Sequence, residues 1–405
     1  SSTPYAGKIE GRENTINNIY INSTEKNQAF IGYAKGIRLN DLTINGSVTS
    51  TTDNVAAFVG DMEDYSIVKN CHNQASVTGN NNVGGIVGYQ YYYPSAGQPG
   101  AVLENCSNSG VIRGNKYVGG VAGQLYTYDY YVKSHIVYSL SNNGTVTATD
   151  SYAGGVVGYL RGAGLENVCN TNNVLATSIY GGIAGATAAG YAINNAYNAG
   201  VVASGGSILG GSGTTVNVYT IAGSYKAGDN ALVKTAESFA SGEVAWLLGD
   251  AFGQTIGTDA LPLLAGASVY QVNYSNNLDA ETTTIYTNGA LPQVTRAGYT
   301  STWYSQAGGD VVTQVSDDAN LYLQFDTATG TEENMLVDVN VFPNPFIDYV
   351  NLKASKAGQA EVYNLQGSLL HSFNISEGIN RLELSSLPAG IYFLHFNNKV
   401  VKLVK

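Results

Sequence analysis

The segment V-G-G-I-V-G, from Val83 to Gly88, decides the fold, because related segments recur along the first half of the chain. The related segments are QAFIG ending at Gly32, VAAFVG from Val55, VGGVAG from Val118, AGGVVG from Ala153, YGGIAG from Tyr180 and ILGGSG from Ile208. Their starts are about 28 residues apart, except that the steps from Val83 to Val118 and from Val118 to Ala153 are 35 residues. A period of this length is the signature of a repeat architecture.

A second segment recurs between these hexads and contains alternating apolar residues, a polar Asn/Gly corner and another short strand. Its copies are LNDLTINGSVTS from Leu39, VKNCHNQASVTG from Val68, LENCSNSGVIRG from Leu103, VYSLSNNGTVTA from Val137, LENVCNTNNVLA from Leu165 and AINNAYNAGVVA from Ala192. One such coil cannot bury its own apolar face, but coils stacked about 4.8 Å apart pair their backbones and build a continuous core. We therefore predict a parallel β-helix, or solenoid, over residues 1–222, in which corner residues such as Asn70, Asn105 and Asn167 hydrogen-bond between coils.

The composition favours β structure and limits the partners of the chain. Gly accounts for 49 and Tyr for 30 of the 405 residues, and only 12% are charged, which leaves little material for long amphipathic helices. The net charge of −11 argues against nucleic acid or an anionic membrane surface as partner. Because no run of about 18 apolar residues occurs, we predict no membrane span.

Two further units follow the repeats. Residues 223–268 are predicted as a capping segment with one short helix, which covers the open end of the last coil. Alternating strands and the turn signal Asn288-Gly289 predict a small β domain over residues 269–327.

The last part of the chain is predicted to be a linker and a terminal β domain. The acidic stretch at residues 328–338 is typical of a linker. Residues 339–405 alternate as strands, with Gly367 in a hairpin turn, and predict a small antiparallel β-sandwich. The predicted fold class is thus all-β: a parallel solenoid followed by small β domains.

Three sets of motifs resemble known families. The V-G-G-[IV]-[VA]-G hexad, with its upstream N-C-x-N segment, resembles the GLUG-type repeats of bacterial adhesins and surface peptidases, which implies cell adhesion and transfers no catalytic residue. The R-A-G-Y-T-x-x-W-Y segment from Arg296 to Tyr304 is similar to the Listeria-Bacteroides repeat of internalin-like surface proteins, although Thr302 stands where that repeat has Gly. This similarity implies a β-grasp-like spacer.

The third resemblance concerns residues 339–405. Pro343-Asn344-Pro345, the YNLQG turn, the segment from Leu387 to Tyr392 and the basic end closely resemble the carboxy-terminal sorting domain of the type nine secretion system. The resemblance implies contact with the secretion machinery through residues 339–405 and export across the outer membrane of a Bacteroidota-type cell. It also implies a secreted or surface-bound protein, often with the domain cleaved and lipopolysaccharide attached.

Candidate chemical groups are sparse. Cys71 and Cys106 occupy the place of Leu42 and Leu140 in the repeat, so we expect buried free thiols, with a disulfide between adjacent coils as the alternative, and Cys169 unpaired. His72, His135, His371 and His395 are dispersed over unrelated segments, and neither HExxH nor GxSxG occurs, so we expect no cofactor, metal or catalytic residue. Asp61, Glu63 and Asp64 are interpreted as a solvated turn, with an opportunistic calcium site as the alternative.

The sharper functional signal is aromatic. Four tyrosines follow one hexad and four follow the next, within the two 35-residue steps: Tyr89, Tyr91, Tyr92 and Tyr93, then Tyr126, Tyr128, Tyr130 and Tyr131. Exposed tyrosines supply rigid, amphipathic contact area suited to glycan stacking or protein contact. We predict ligand binding by Tyr91, Tyr92, Tyr93, Tyr126, Tyr128, Tyr130 and Tyr131. The alternative is that they fold back over the solenoid or pack on a neighbouring domain.

The predicted function is that of a secreted or surface-anchored, adhesin-like binding protein and not of an enzyme, with a host or cell-surface glycan or protein as partner. Two alternatives stay open. Parallel β-helices also carry polysaccharide-active enzymes. A purely structural component of a surface assembly is the other possibility, favoured if the tyrosines are buried against another copy.

Overall fold

The computed structural model describes residues 3–92, 101–127, 136–161, 164–188, 192–203, 207–211, 213–221, 231–279, 281–327, 340–397 and 399–405. The chain divides into two units, residues 1–295 with 301–325 and residues 296–300 with 326–405.

The repeats form stacked coils whose strands pair in parallel with the equivalent strands of the next coil, so the predicted parallel β-solenoid is confirmed. Leu42, for example, lies opposite Cys71 of the next coil. The strands are β1 (Lys8–Ser23), β2 (Ile31–Lys35), β3 (Arg38–Ser50), β4 (Val55–Ala56), β5 (Val59–Glu63), β6 (Ile67–Asn73), β7 (Ser76–Thr78), β8 (Asn81–Gly84), β9 (Val87–Tyr92), β10 (Val102–Asn108), β11 (Ile112–Gly119), β12 (Ala122–Thr127), β13 (Ile136–Asn142), β14 (Val146–Gly154), β15 (Val157–Arg161), β16 (Leu165–Asn170), β17 (Val174–Leu175), β18 (Ser178–Thr187), β19 (Ala192–Asn198), β20 (Ser207–Leu209), β21 (Thr214–Ile221) and β22 (Leu232–Lys234).

The glycines of the hexads are required by close backbone packing. A Cβ atom on Gly84 would lie 2.1 Å from the carbonyl oxygen of Val87, and one on Gly120 would lie 2.2 Å from that of Gly155. Neither glycine has a positive φ. Any side chain at these corners would therefore overlap the backbone of its own coil or of the next.

Asparagines occupy the left-handed corners of the coils and link them. Asn70, Asn105 and Asn167 have φ values of 51°, 50° and 55°. Nδ2 of Asn105 donates to Oδ1 of Asn70 at 2.7 Å, and Nδ2 of Asn195 donates to Oδ1 of Asn167 at 3.4 Å. The predicted hydrogen bonds between corner asparagines of successive coils are thus present, because Asn tolerates this backbone conformation and carries both a donor and an acceptor.

A second asparagine ladder runs inside the solenoid and is not predicted from the sequence. Its members are Asn73, Asn108, Asn142, Asn170 and Asn198, all at most 1% exposed. Each of the first four donates from Nδ2 to Oδ1 of the next member at 2.7 Å. Every member also donates from Nδ2 to the backbone carbonyl oxygen of the residue two positions later in the sequence, at 2.7–2.9 Å. The ladder satisfies polar groups that the turn would otherwise bury unpaired.

A short helical segment packs on the last coils. It contains α1 (Ala236–Ala240), α2 (Glu243–Leu248), β23 (Phe252–Gly253) and β24 (Leu263–Leu264). Thr235 caps α1, because its Oγ1 accepts a hydrogen bond from the backbone N–H of Ser238. Phe239 and Phe252 lie edge-on to the ring of Tyr197 in β19. These contacts cover apolar side chains that the end of the solenoid would expose.

The next sheet contains β25 (Tyr270–Asn276), β26 (Thr283–Thr287), β27 (Tyr299–Tyr304) and β28 (Ala319–Thr327), in the order β26-β25-β28-β27. The central strands β25 and β28 are parallel, and β26 is antiparallel to β25. Trp303 packs edge-on against Tyr274 at 4.8 Å and donates from Nε1 to the carbonyl oxygen of Pro292.

The second unit contains two antiparallel sheets, which confirms the predicted terminal β-sandwich. One consists of β29 (Asn340–Phe342), β30 (Tyr349–Ala354) and β33 (Gly378–Glu383). The other contains β31 (Gly358–Tyr363), β32 (Leu369–Ile375), β34 (Ile391–Phe396) and β35 (Lys399–Val404). Val350, Leu382, Leu394 and Phe396 belong to their shared core, and Gly367 has a φ of 79° in the turn between β31 and β32.

Neither α1 nor α2 is long and apolar enough to cross a membrane, and no other helix occurs in the part of the chain that the structure describes.

Candidate ligand-binding surface

Two rows of outward side chains cross the strands that follow the glycine corners, β2, β5, β9, β12 and β15. Side chains alternate along a strand, so the residues of both rows face away from the core. The first row is Tyr33, Asp61, Tyr89, Gln124 and Tyr159. The second row is Lys35, Glu63, Tyr91, Tyr126 and Arg161.

Three tyrosines and one arginine of these rows pack together, and we call Tyr89, Tyr91, Tyr126 and Arg161 the strand cluster. The rings of Tyr91 and Tyr126 are stacked, with centroids 5.9 Å apart and planes inclined by 11°. Tyr89 stacks on Tyr91 at 6.2 Å. The Arg161 guanidinium lies 4.9 Å from the Tyr126 ring centroid and donates from Nη1 to the Tyr126 hydroxyl at 2.9 Å. These contacts hold the rings in one arrangement.

The prediction that Tyr92 belongs to an exposed binding surface is wrong. Its side chain is 1% exposed and lies opposite Thr127, which is also buried. Alternation along β9 explains the difference, because an outward Tyr91 forces the next side chain inward. Tyr91 and Tyr126 do lie on the outward face. The other predicted binding residues, Tyr93, Tyr128, Tyr130 and Tyr131, lie outside the described residues.

A second aromatic group, missed by the sequence analysis, is centred on the residues that precede the hexads of Val118 and Ala153. We call Lys116, Tyr117, Tyr152 and Tyr159 the corner cluster. Tyr117 and Tyr152 stack at 4.8 Å with planes inclined by 21°, and Tyr159 lies edge-on to both at 5.6 and 6.1 Å. The Lys116 ammonium lies 5.8 Å from the Tyr117 centroid and 5.6 Å from that of Tyr152. Together the two clusters form the tyrosine surface.

A sequence signal for the corner cluster existed. The residue before the hexad is Asn in two earlier repeats, Asn54 and Asn82, and changes to Tyr117 and Tyr152 in the next two. All four have positive φ values, between 56° and 63°. Asn tolerates the left-handed conformation and a bulky residue rarely adopts it, so the change from Asn to Tyr at this repeat position is the signal in the sequence.

Three tyrosines of the tyrosine surface have a raised pKa. Burial raises the pKa of Tyr89, and the nearby charge of Asp61 raises it further. Burial also raises the pKa of Tyr117 and of Tyr159. At neutral pH these hydroxyl groups can therefore both donate and accept hydrogen bonds.

Acidic residues lie at one end of the tyrosine surface, in the second coil. Asp61 precedes Tyr89 in its row, and its Oδ2 accepts hydrogen bonds from Nδ2 of Asn54 at 3.3 Å and of Asn27 at 3.4 Å. Burial, followed by the charge of Glu63, raises the pKa of Asp61 to about 6. This carboxyl group is partly protonated near neutral pH.

The interpretation of the acidic residues as a solvated turn is wrong for most of them. Asp61 and Glu63 lie on β5, and Asp64 is buried. Glu63 accepts a hydrogen bond from the Tyr33 hydroxyl at 2.7 Å, and the Lys35 ammonium lies 3.1 Å from Glu63 and 3.2 Å from Asp64. Among the described residues no three His, Cys, Asp or Glu side chains are grouped as a metal site requires.

The three cysteines are buried free thiols, as predicted. A hydrogen bond with Cys106, and then burial, raises the pKa of Cys71. Burial raises the pKa of Cys169 to about 12. A thiol that stays protonated and buried is a poor nucleophile, so these residues belong to the core and not to the tyrosine surface.

Comparison with known proteins adds two family matches. The GLUG motif matches residues 79–113, which contain the hexad of Val83, and the secretion system C-terminal sorting domain matches residues 340–405. The comparison with curated proteins returned no match. One similar crystal structure is that of a Bacteroides ovatus protein with the provisional description of an immunoglobulin A1 protease. It is 18% identical, with a TM-score of 0.41, over 64% of this chain and 77% of that chain.

The two family matches agree with the solenoid and the terminal sandwich described above. The sorting domain directs export by the type nine secretion system. The chain therefore carries a GLUG motif within its β-solenoid and a secretion system C-terminal sorting domain, which indicates export to the outer cell surface or beyond.

Proposed function

We propose that the protein is an adhesin-like binding protein whose solenoid presents the tyrosine surface to a glycan or protein ligand on a host or another cell. The observation that supports this proposal most directly is the strand cluster, in which stacked rings and a guanidinium lie on the outer face of a parallel sheet. Its side chains are already ordered, so binding loses little conformational entropy.

The tyrosine surface suits polar ligands with apolar faces. Since neighbouring rings stack on each other, a ligand would meet their edges and hydroxyl groups. Neutral phenols can hydrogen-bond to sugar hydroxyl groups or to a peptide backbone. Export to the cell surface brings this face into contact with extracellular ligands.

The proposal includes the predicted residues that lie outside the described part of the chain. Tyr93 follows β9 directly, and Tyr128, Tyr130 and Tyr131 follow β12. In this proposal they take part in ligand binding together with the strand cluster, and residues 269–327 serve as a spacer.

The test is binding of the full chain to an array of glycans and host-matrix proteins, with Tyr91→Ala/Tyr126→Ala as the variant. We expect binding at least about tenfold weaker for this variant, since central tyrosines are frequent binding hot spots. The matched control is Tyr20→Ala, because Tyr20 is 75% exposed on β1 and outside the tyrosine surface. Circular dichroism and thermal unfolding establish that all three proteins fold.

Two outcomes would contradict this proposal. Equal binding by the parent and the double variant would exclude the strand cluster as the site. The absence of any binding, together with concentration-dependent self-assembly, would favour the structural role in a surface assembly.

A second candidate function is hydrolysis of a polysaccharide held on the tyrosine surface. Asp61 and Glu63 are two residues apart on the outward face of β5, beside Tyr89. Glycoside hydrolysis uses two carboxyl groups with different protonation states, and the pKa of Asp61, about 6, suits a general acid. The test is release of reducing ends from each bound polysaccharide by the parent, Asp61→Asn and Glu63→Gln. No release by the parent would exclude this candidate.

A further inference from the structure

Positively charged side chains are scarce in this protein, and two of them lie on the tyrosine surface. The chain has 19 Lys and Arg residues against 30 Asp and Glu, yet Lys116 and Arg161 both contact tyrosine rings of this surface. The edge-on contact of Tyr117 with Tyr159 joins the two groups, since Tyr159 and Arg161 are both on the outward face of β15. Lys116 and Arg161 thus lie on neighbouring coils, each in contact with rings of the tyrosine surface.

Lys116 holds its ammonium in a defined place that a ligand can reach. It lies near the centroids of two stacked rings, at 5.8 and 5.6 Å, and its side chain is 37% exposed. Its ion pair with Asp150 is long, at 4.0 Å, and the Asp150 side chain is 53% exposed. An anionic group of a ligand can replace so exposed a carboxylate, because surface ion pairs are weak.

The backbone of the corner cluster is strained. Tyr117 and Tyr152 have φ values of 57° and 62°, in a column where Asn54 and Asn82 occupy the same conformation without difficulty. In the next coil the strained residue is Ile179, whose side chain is also exposed. The strained conformation at this corner is thus shared by Asn, Tyr and Ile, and what distinguishes Tyr117 and Tyr152 is that their rings stack on each other near the Lys116 ammonium.

We propose that the corner cluster is an anion-accepting subsite and that the ligand of the tyrosine surface is an acidic glycan, one that carries carboxylate or sulfate groups. Sugar rings contact the tyrosines, and the anionic group lies between Lys116 and Arg161. Asp61 and Glu63 lie two coils from Lys116, at about 10 Å for a coil spacing of about 4.8 Å, and three coils from Arg161, so the carboxylate that the anionic group would displace is that of Asp150. This inference rests on the proposed function, and it names the ligand class.

The experiment uses the full chain and a panel of acidic oligosaccharides, each beside its neutral counterpart. Oligogalacturonates are compared with their methyl esters, sialylated with desialylated glycans, and sulfated with desulfated heparan fragments. We expect at least about tenfold tighter binding of one acidic probe than of its neutral form. That binding should weaken in 0.5 M NaCl, because salt screens exposed charges. The panel separates carboxylate from sulfate as the recognised group.

Two variants and one control locate the subsite. Lys116→Gln should weaken binding of the acidic probe about tenfold and remove most of the preference for the acidic probe over its neutral counterpart. Tyr117→Asn/Tyr152→Asn installs the residue type that earlier coils use at this corner, so it should fold at least as well as the parent and still lose binding. Lys8→Gln is the control, because Lys8 is 64% exposed on β1 and its loss changes the net charge equally.

The outcomes separate this inference from the proposed function. If Lys116→Gln binds the acidic probe as the parent does, or if only neutral glycans or proteins bind, the anion subsite is wrong. The proposed function still stands in that case, provided that Tyr91→Ala/Tyr126→Ala abolishes binding. If no ligand on the array or in the panel binds, both are wrong.

Discussion

Removal of one amide from the buried asparagine ladder should destabilise the solenoid strongly. The Asn142 side chain makes four hydrogen bonds, donating to Oδ1 of Asn170 at 2.7 Å and to the carbonyl oxygen of Gly144 at 2.7 Å, and accepting from Nδ2 of Asn108 at 2.7 Å and from the N–H of Gly144 at 3.2 Å. All four bonds are buried. At about 1 kcal/mol net for each, Asn142→Ala should lower the free energy of unfolding by about 4 kcal/mol.

The matched control is Asn143→Ala, one residue away. The Asn143 side chain is exposed and accepts one bond, from Oγ1 of Thr171 at 2.9 Å. Its removal should cost less than about 0.5 kcal/mol, as for other surface substitutions. The two substitutions therefore compare a buried and an exposed asparagine side chain in the same backbone segment.

The assay is urea unfolding of the full chain by far-ultraviolet circular dichroism, with hydrogen exchange of peptides from β10 to β16 to assign the loss to these coils. We expect faster exchange in the coils next to Asn142 before it rises elsewhere, since a solenoid is held by contacts between neighbours. If Asn142→Ala and Asn143→Ala are equally stable, the buried hydrogen bonds of the ladder stabilise the fold no more than hydrogen bonds to water do. The predicted loss of about 4 kcal/mol is then refuted.

Three further predictions follow from burial and packing. Because the pKa of Asp61 is raised to about 6, folding favours its protonated form, so its ionisation lowers stability as the pH rises from about 4 through 6. Asp61→Asn should therefore raise the free energy of unfolding at pH 8 by about 1–2 kcal/mol, a figure already lowered to allow for partial solvent screening of Asp61, and should change it little at pH 4. Equal effects at both pH values in urea titrations would contradict this prediction. A maleimide should label none of Cys71, Cys106 and Cys169 in the native protein and all three in urea, and rapid native labelling would show that the thiols are accessible. Gly120→Ala should cost more than about 3 kcal/mol in the same unfolding assay, since its Cβ would lie 2.2 Å from a backbone oxygen, and a variant as stable as the parent would mean that the corner can widen.

Much of the fold can be predicted because it depends on local patterns. The apolar alternation, the spacing of the hexads and the glycine corners identify the coils, and the same reasoning identifies the terminal sandwich around Gly367. The corner asparagines, Asn70 and Asn105 among them, are also predictable, since their conformation and hydrogen bonds follow from the residue type.

The buried ladder shows where such reasoning stops. Asn73 and Asn108 are as polar as Asn70 and Asn105, and they lie only three residues further along. Only the path of the turn decides that one pair faces solvent while the other is enclosed. Without that path, a buried amide column cannot be distinguished from an exposed one.

Only part of the candidate site could be predicted from the sequence. The sequence by itself determined that tyrosines gather in neighbouring repeats, because the hexads set the period of the coils. The tertiary structure alone decided that Tyr91 faces outward and Tyr92 inward, and that Tyr117 and Tyr152 stack at 4.8 Å. The physical reason is that strand register and coil closure set the direction and the neighbours of each side chain, whereas composition and spacing set only which coil it belongs to.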